Sequence, residues 1–336
     1  MIHGRRYLLL LSVTLLWPGL AAVPAGAQTS GFERVGSIAE AASLIEVDGK
    51  HLFASADKTL KIFDLTDPAA PRVVASFAFP ERITAFAVSG AAVYAMTDGF
   101  GLRVLDISTP TAPALRGSLA LRGSNQGLVA PGGNIVLFTN LSSGLVVIDV
   151  ADVARPVRVA SFVPDGYPRG VAASGAFAYL TDWPTGLYIV SLAKPDAPEV
   201  LKLLAAPPAQ VGTGDPRTFT AAVTVMSPTP SAPAAVVSVI DQGGLLHVFD
   251  ATTPAAAVET ATFAVAGTPR RIKVKGRLAY IASGAAGVQV IDLANPAHPA
   301  FVGAIQGKGP ARDVAVSDSA VFVAAEGEIV VLRQSR

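Results

Sequence analysis

The chain has 336 residues, a formal net charge of +1, no cysteine, four histidines, 31 glycines and 25 prolines, and only 15% of it is charged. Soluble chains average about a quarter charged residues and about an eighth Gly plus Pro, so this charge-poor, turn-rich composition excludes a coiled coil, while 51% hydrophobic residues exclude a disordered tail. Zero cysteine removes disulfides, thiolate zinc sites, iron–sulfur clusters and Cys nucleophiles, and the near-zero charge offers no electrostatic footprint for nucleic acid.

The first element in chain order is a targeting segment. His3, Arg5 and Arg6 precede an apolar run over residues 7–17, and Ala25-Gly26-Ala27 supplies the small-x-small cleavage pattern of a secretory signal. The run is too short, and too closely followed by Pro18 and Pro24, for a stable membrane anchor. Arg5-Arg6 also fits a twin-arginine signal, but the strongly apolar run behind it suits the general secretory route better. Residues 1–27 therefore read as a cleavable leader. The mature chain is expected to start at Gln28 with a charge of −1, to carry no transmembrane anchor and to be extracytoplasmic, whether periplasmic, cell-surface or secreted.

Seven later segments read as one strand repeated, at residues 60–65, 102–107, 145–150, 187–192, 246–251, 288–293 and 329–334, a period of about 42 residues. Five carry Asp at the equivalent place, namely Asp64, Asp106, Asp149, Asp250 and Asp292, whereas Ser191 and Arg333 fill the other two. Each unit holds four short strand candidates. Residues 158–162, 170–174, 176–181 and 187–192 show them well, β-branched or small and bounded by Gly, Pro, Asp and Asn. The runs are nearly continuously apolar, as expected when both faces of each sheet are covered by neighbouring sheets. Four strands at this period predict an all-β chain whose units are antiparallel propeller blades.

The last unit stops after its third strand. Near the start, Phe32-Glu33-Arg34-Val35-Gly36-Ser37-Ile38 matches the fourth strands Leu115-Arg116-Gly117-Ser118-Leu119 and Phe301-Val302-Gly303-Ala304-Ile305. An N-terminal strand that completes the final blade removes the exposed edges of an open array. Residues 28–336 thus read as one seven-bladed domain. One step breaks the period, since 59 residues separate Ser191 from Asp250. The surplus lies in Pro-rich insertions at 206–216 and 227–233, expected to project from opposite faces.

Gly144-Leu145-Val146-Val147-Ile148-Asp149-Val150, with turns such as Asp67-Pro68-Ala69-Ala70-Pro71 and Asn295-Pro296-Ala297-His298-Pro299, resembles the LVIVD repeat. That resemblance implies a seven-bladed β-propeller in exported bacterial proteins and brings no catalytic motif to carry over. The sequence departs from it at Ser191, at Arg333 and at Ala257, where the second turn proline is missing.

Aligning the units on their turn glycines gives a polar column at the start of the first strands: Ser43, Thr84, Gln126, Arg169, Arg217, Arg270 and Arg312. A second column ends the adjacent strands: Asp57, Asp98, Asn140, Asp182, Asp241, Ser283 and Glu326. Symmetry about the turns at Gly175 and Ser319 predicts that Arg169 faces Asp182 and Arg312 faces Glu326. The columns could form an anion-binding ring, or a structural Arg–carboxylate pair repeated in the blades. Their nearly balanced charge favours the second reading, with Arg270 the exception because Ser283 lies opposite it. Phe100, Tyr167, Trp183 and the first insertion should share that face, where exposed aromatics beside Arg and Asp suit a protein or glycan contact, although Trp183-Pro184 could equally be a buried plug. The five repeated aspartates precede Pro-containing turns, which predicts turn capping. His51, His247 and His298 occupy three different places in three blades, so no metal triad follows, and no catalytic residue, cofactor or metal ligand set is assigned.

The expected protein is an exported, non-enzymatic binding module. Its candidate contact residues are Arg169, Arg217, Arg270, Arg312, Asp182, Asp241, Tyr167 and Trp183. The expected partner is a protein or glycan and the expected state a monomer. The alternatives are a metal-dependent hydrolase or lyase using Asp57, Asp98, Asp182 and Asp241 at the central channel, and a structural protein of the cell surface.

Overall fold

Short apolar runs separated by turn residues become strands, and the computed structural model describes them over residues 31–121, 123–205, 222–226, 236–241 and 243–334. The leader, both Pro-rich insertions and Arg217 lie outside the described residues. β1 (Phe32–Ile38) stands first. Blade 1 follows as β2 (Leu44–Asp48), β3 (His51–Ala56), β4 (Thr59–Asp64) and β5 (Arg72–Ala78), and blade 2 as β6 (Ile83–Ser89), β7 (Ala92–Thr97), β8 (Gly101–Asp106) and β9 (Ala114–Ala120). Blade 3 is β10 (Asn125–Gly132), β11 (Ile135–Asn140), β12 (Gly144–Asp149) and β13 (Val157–Phe162). Blade 4 is β14 (Tyr167–Ser174), β15 (Phe177–Trp183), β16 (Gly186–Ser191) and β17 (Glu199–Ala205). Blade 5 is β18 (Ala222–Met226), β19 (Val236–Ile240), β20 (Leu245–Asp250) and β21 (Val258–Ala264). Blade 6 is β22 (Arg271–Lys275), β23 (Leu278–Ala282), β24 (Val288–Asp292) and β25 (Ala300–Ile305), and β26 (Asp313–Val316), β27 (Val321–Ala325) and β28 (Glu328–Gln334) begin blade 7.

Each blade is a four-stranded antiparallel sheet in simple sequential order, except that blade 7 runs β26, β27, β28, β1. The N-terminal strand therefore closes the ring, as its sequence likeness to the outer strands requires. β1 also reproduces their irregularity. A register shift recurs wherever a third strand meets its outer strand, between Val104 and Leu105 in blade 2, for example, and between Arg34 and Gly36 in β1. Such a bulge steepens the local twist and turns the outermost strand along the blade rim.

The core lies between the sheets. Seven clusters of buried apolar side chains fill seven interfaces, such as Met96, Leu102 and Val104 of blade 2 against Val136, Phe138 and Ile148 of blade 3. An open array of seven sheets would have only six such interfaces. The interface between blades 6 and 7 holds Phe32 and Tyr280 edge to face, 6.1 Å between centroids, with Val290, Val323 and Val330 around them, and the one that closes the ring packs Ile45, Leu52 and Phe63 of blade 1 against Phe322, Ile329 and Val331 of blade 7.

The repeated aspartates cap turns, as their place before the Pro-containing segments predicts. Asp64, Asp106, Asp149, Asp250 and Asp292 each accept the backbone N–H two residues on at 2.8 to 2.9 Å, and Ser191 Oγ takes the same bond in blade 4. The N–H groups and hydroxyls of Thr66, Ser108 and Thr252 hold Asp64, Asp106 and Asp250 below the usual carboxylate range, Asp106 to about 2. Loss of the second proline at Ala257 leaves the turn intact, as a 3-10 turn over Pro254–Ala256.

The outer-strand glycines exist for close approach. A Cβ on Gly117 would stand 2.0 Å from the Val153 carbonyl oxygen in the next blade's turn, and one on Gly36 would stand 2.3 Å from that of Ala69. In blade 5 Thr260 takes this role differently, its hydroxyl donating to the Pro296 carbonyl at 3.3 Å. Gly117→Ala is expected to push two blades apart and to destabilise the protein by about 1 to 3 kcal/mol, the usual range for overpacking. Urea unfolding of the variant beside the wild type measures it, and an unchanged midpoint would contradict the close-approach account.

Candidate binding face and central channel

The starts of the first strands and the hairpins between second and third strands share one face of the disc. There the third strands carry polar side chains that tie down the blade-to-blade connections. Lys61 Nζ reaches Glu40 Oε2 at 2.6 Å. Arg103 meets Glu81 through two bonds of 2.6 and 3.2 Å, and its guanidinium lies 3.6 Å from the Phe100 ring centroid. Tyr188 Oη donates to Asp165 Oδ2 at 3.5 Å. This tether was missed by the sequence reasoning. Its signal is a polar residue inside an apolar third strand with an acid 21 to 23 residues upstream.

Blade 5 places a histidine at the same position, between a buried and an exposed carboxylate. His247 Nδ1 lies 2.7 Å from Glu259 Oε1, and Nε2 lies 3.3 Å from Asp241 Oδ2, while Asp241 Oδ1 accepts the Leu245 N–H at 2.7 Å. Both His247 and Asp241 are buried. Burial alone would push the imidazole down, but the two carboxylates outweigh it and hold it above its ordinary value.

Among the described residues, the Arg–carboxylate pairs expected across the inner hairpins do not form. In blade 4 Pro168, not Arg169, faces Asp182, because a bulge between Pro168 and Val171 shifts the register. Arg169 Nη1 instead donates to Gln126 Oε1 of blade 3 at 3.2 Å, and its Nε is buried without a hydrogen bond. In blade 7 the turn at residues 317–320 sets Asp313 opposite Ala324, so Arg312 and Glu326 are out of step by one residue and both are exposed. A one-residue slip sends every later side chain to the opposite side of the sheet. Arg270 and Arg312 point into solvent without a side-chain partner among the described residues. Asp182 is fully buried, accepts the Gly166 N–H at 2.9 Å, and burial raises it above the usual carboxylate range. Neither Asp182 nor Asp241 is therefore open to a partner.

Tyr167 and Trp183 are brought together as register partners at the ends of β14 and β15, their rings stacked with centroids 5.4 Å apart. Tyr167 is 50% exposed and Trp183 half-buried, so the pair forms an open aromatic platform and not a buried plug.

The carboxylates assigned to a channel metal do not gather. Asp57 is exposed at a turn of blade 1, Asp98 pairs with Arg82 at 2.7 Å in blade 2, and Asp182 and Asp241 are tied into blades 4 and 5. None of the four lines the cavity found between the inner strands. That cavity was not anticipated; it has about 130 Å³ and is bounded by Glu46, Phe86, Leu128, Arg271, Lys273 and Asp313. Asp313 is buried, with Oδ2 accepting the Ile45 N–H at 3.0 Å and Oδ1 the Val314 N–H at 2.8 Å. The first of these bonds staples blade 7 to blade 1. Burial raises both Asp313 and Glu46 above the carboxylate range, opposed at Asp313 by Arg271 and Lys273, and at Glu46 by Lys273 and the nearby Val88 N–H.

Three stretches of the chain, residues 85–120, 165–199 and 266–306, match the family described as the LVIVD repeat. Each falls on one blade, the second, fourth and sixth. The chain is a seven-bladed β-propeller that carries LVIVD repeats. Among solved structures, this LVIVD-repeat propeller is similar to the β-propeller domain of Cps50 (Swd1) from Myceliophteria thermophila, at 11% identity and a TM-score of 0.71, over 90% of this chain and 100% of that one. It is also similar to the computationally designed Ika8 protein, at 11% identity and a TM-score of 0.61, over 90% of this chain and 98% of that one. At such identities the likeness is one of fold. No curated protein matches the chain in sequence. No helix among the described residues is long and apolar enough to cross a membrane.

Proposed function

We propose that this LVIVD-repeat propeller is an exported, non-enzymatic interaction module that docks a protein or glycan on the face carrying Tyr167, Trp183, Arg270 and Arg312. The observation that carries the reading is the stacked Tyr167–Trp183 pair, held on rigid strand ends with its rings open to solvent. Large aromatic faces of low side-chain entropy are what interface hot spots use, and arginine is enriched beside them. Export rests on the leader pattern of Arg5, Arg6, the apolar run behind them and Ala25-Gly26-Ala27.

Capture from the native envelope fraction tests the reading. A variant carrying Tyr167→Ala and Trp183→Ala is expected to lose at least tenfold in affinity for the captured partner, about 1.4 kcal/mol or more, with a smaller loss for Arg270→Ala. Equal binding by every variant to every partner recovered would overturn it.

A further inference from the structure

The channel carries two cationic side chains whose donors the fold does not use up. Four charged side chains face the cavity, Arg271 and Lys273 from β22, Glu46 from β2 and Asp313 from β26. Asp313 spends one oxygen on the Ile45 N–H and the other on the Val314 N–H. Neither Arg271 nor Lys273 makes a hydrogen bond, or a salt bridge within 4.0 Å, to any described residue. The four formal charges cancel, but the donors of both cations are left without a contact partner among the described residues, around a space of about 130 Å³. Arg271 and Lys273 are two residues apart on one strand, which places them on the same side of β22 and about 7 Å apart along it. Two donors at that spacing can both reach an anion seated between them at about 2.8 Å from each.

We infer that the channel binds one small oxyanion, a carboxylate or phosphate group, held by the Arg271 guanidinium and the Lys273 ammonium. The apolar walls at Phe86 and Leu128 and the size of the space limit the ligand to a few heavy atoms. Glu46 opposes the anion by repulsion and so sets a modest affinity. This site is separate from the Tyr167–Trp183 face, and either can hold without the other.

Titration calorimetry of the full protein with inorganic phosphate, with acetate and with chloride, each at constant ionic strength, tests the inference. One saturable site for phosphate or acetate is expected, with chloride weaker by at least tenfold; the stronger of the two oxyanions tells which group the channel takes. Lys273→Met should weaken it tenfold or more, Arg271→Lys should narrow its preference over chloride, and Arg72→Ala, exposed on the outer strand β5, should leave it unchanged. Should Lys273→Met fail to fold, Glu46→Gln decides, because removing the repelling charge must tighten phosphate or acetate by threefold or more. No saturable oxyanion binding, an equal loss in Arg72→Ala, or weaker binding by Glu46→Gln would each overturn it.

Discussion

Deleting Phe32–Ile38 is expected to convert the closed ring into an open stack that no longer unfolds in one sharp transition. β1 makes six residue pairs with β28 and contributes to both core clusters that flank blade 7, Phe32 to the one shared with blade 6, and Val35 and Ile38 to the one shared with blade 1. Phe32→Ala alone should cost about 3 to 5 kcal/mol, because its ring is buried against Tyr280. Losing the whole strand also leaves β28 as a bare edge beside two opened interfaces. The combined loss is comparable with the entire stability of an ordinary domain, about 5 to 15 kcal/mol. Circular dichroism on heating should therefore show a broad, early loss of sheet signal, and sedimentation should show association through the exposed edge. Adding a synthetic peptide of sequence Phe32–Ile38 should restore a sharp transition in a concentration-dependent way. A truncated chain that melts as sharply and as late as the full one would mean that the ring is held without its latch.

The features that could be read from the sequence are those set by local chemistry. An apolar third strand ending in Asp, followed by a turn, needs only neighbouring residues to be recognised, and β4, β8, β12, β16, β20, β24 and β28 fall on the seven segments expected. Closure was legible because a Gly beside the bulge is demanded in β1 as in β9, where another blade's carbonyl presses on the strand. The face-to-face pairs failed for a different reason. Whether Arg169 meets Asp182 depends on one bulged residue between Pro168 and Val171, and residue types alone do not fix a register to within one position. The channel charges were hidden in plain view: Arg271-Ile272-Lys273-Val274-Lys275 alternates as an inner strand should, but only the closed ring brings it against Glu46 and Asp313, more than 200 residues away from the first of them and about 40 from the second.

His247→Ala is expected to cost about 3 to 5 kcal/mol, the range for breaking a buried charge pair, because Asp241 would stay buried with the Leu245 N–H as the one remaining partner of its side chain among the described residues. The pH dependence separates this account from simple loss of packing. Both ring nitrogens face carboxylates, and a neutral imidazole has one donor only, so the arrangement is fully satisfied by the imidazolium. Since the folded protein holds His247 above its ordinary value of about 6.5, protonation favours the folded state. That contribution is complete below about pH 6.5 and declines as the pH rises through the higher value of the folded protein. The difference in urea midpoint between the wild type and His247→Gln should therefore be largest near pH 6 and shrink steadily toward pH 9. Asp241→Asn and Glu259→Gln should each flatten that slope, since each removes one of the two charges that favour the imidazolium. A difference constant across the range would show that His247 acts through shape alone, with its ring neutral between the two acids.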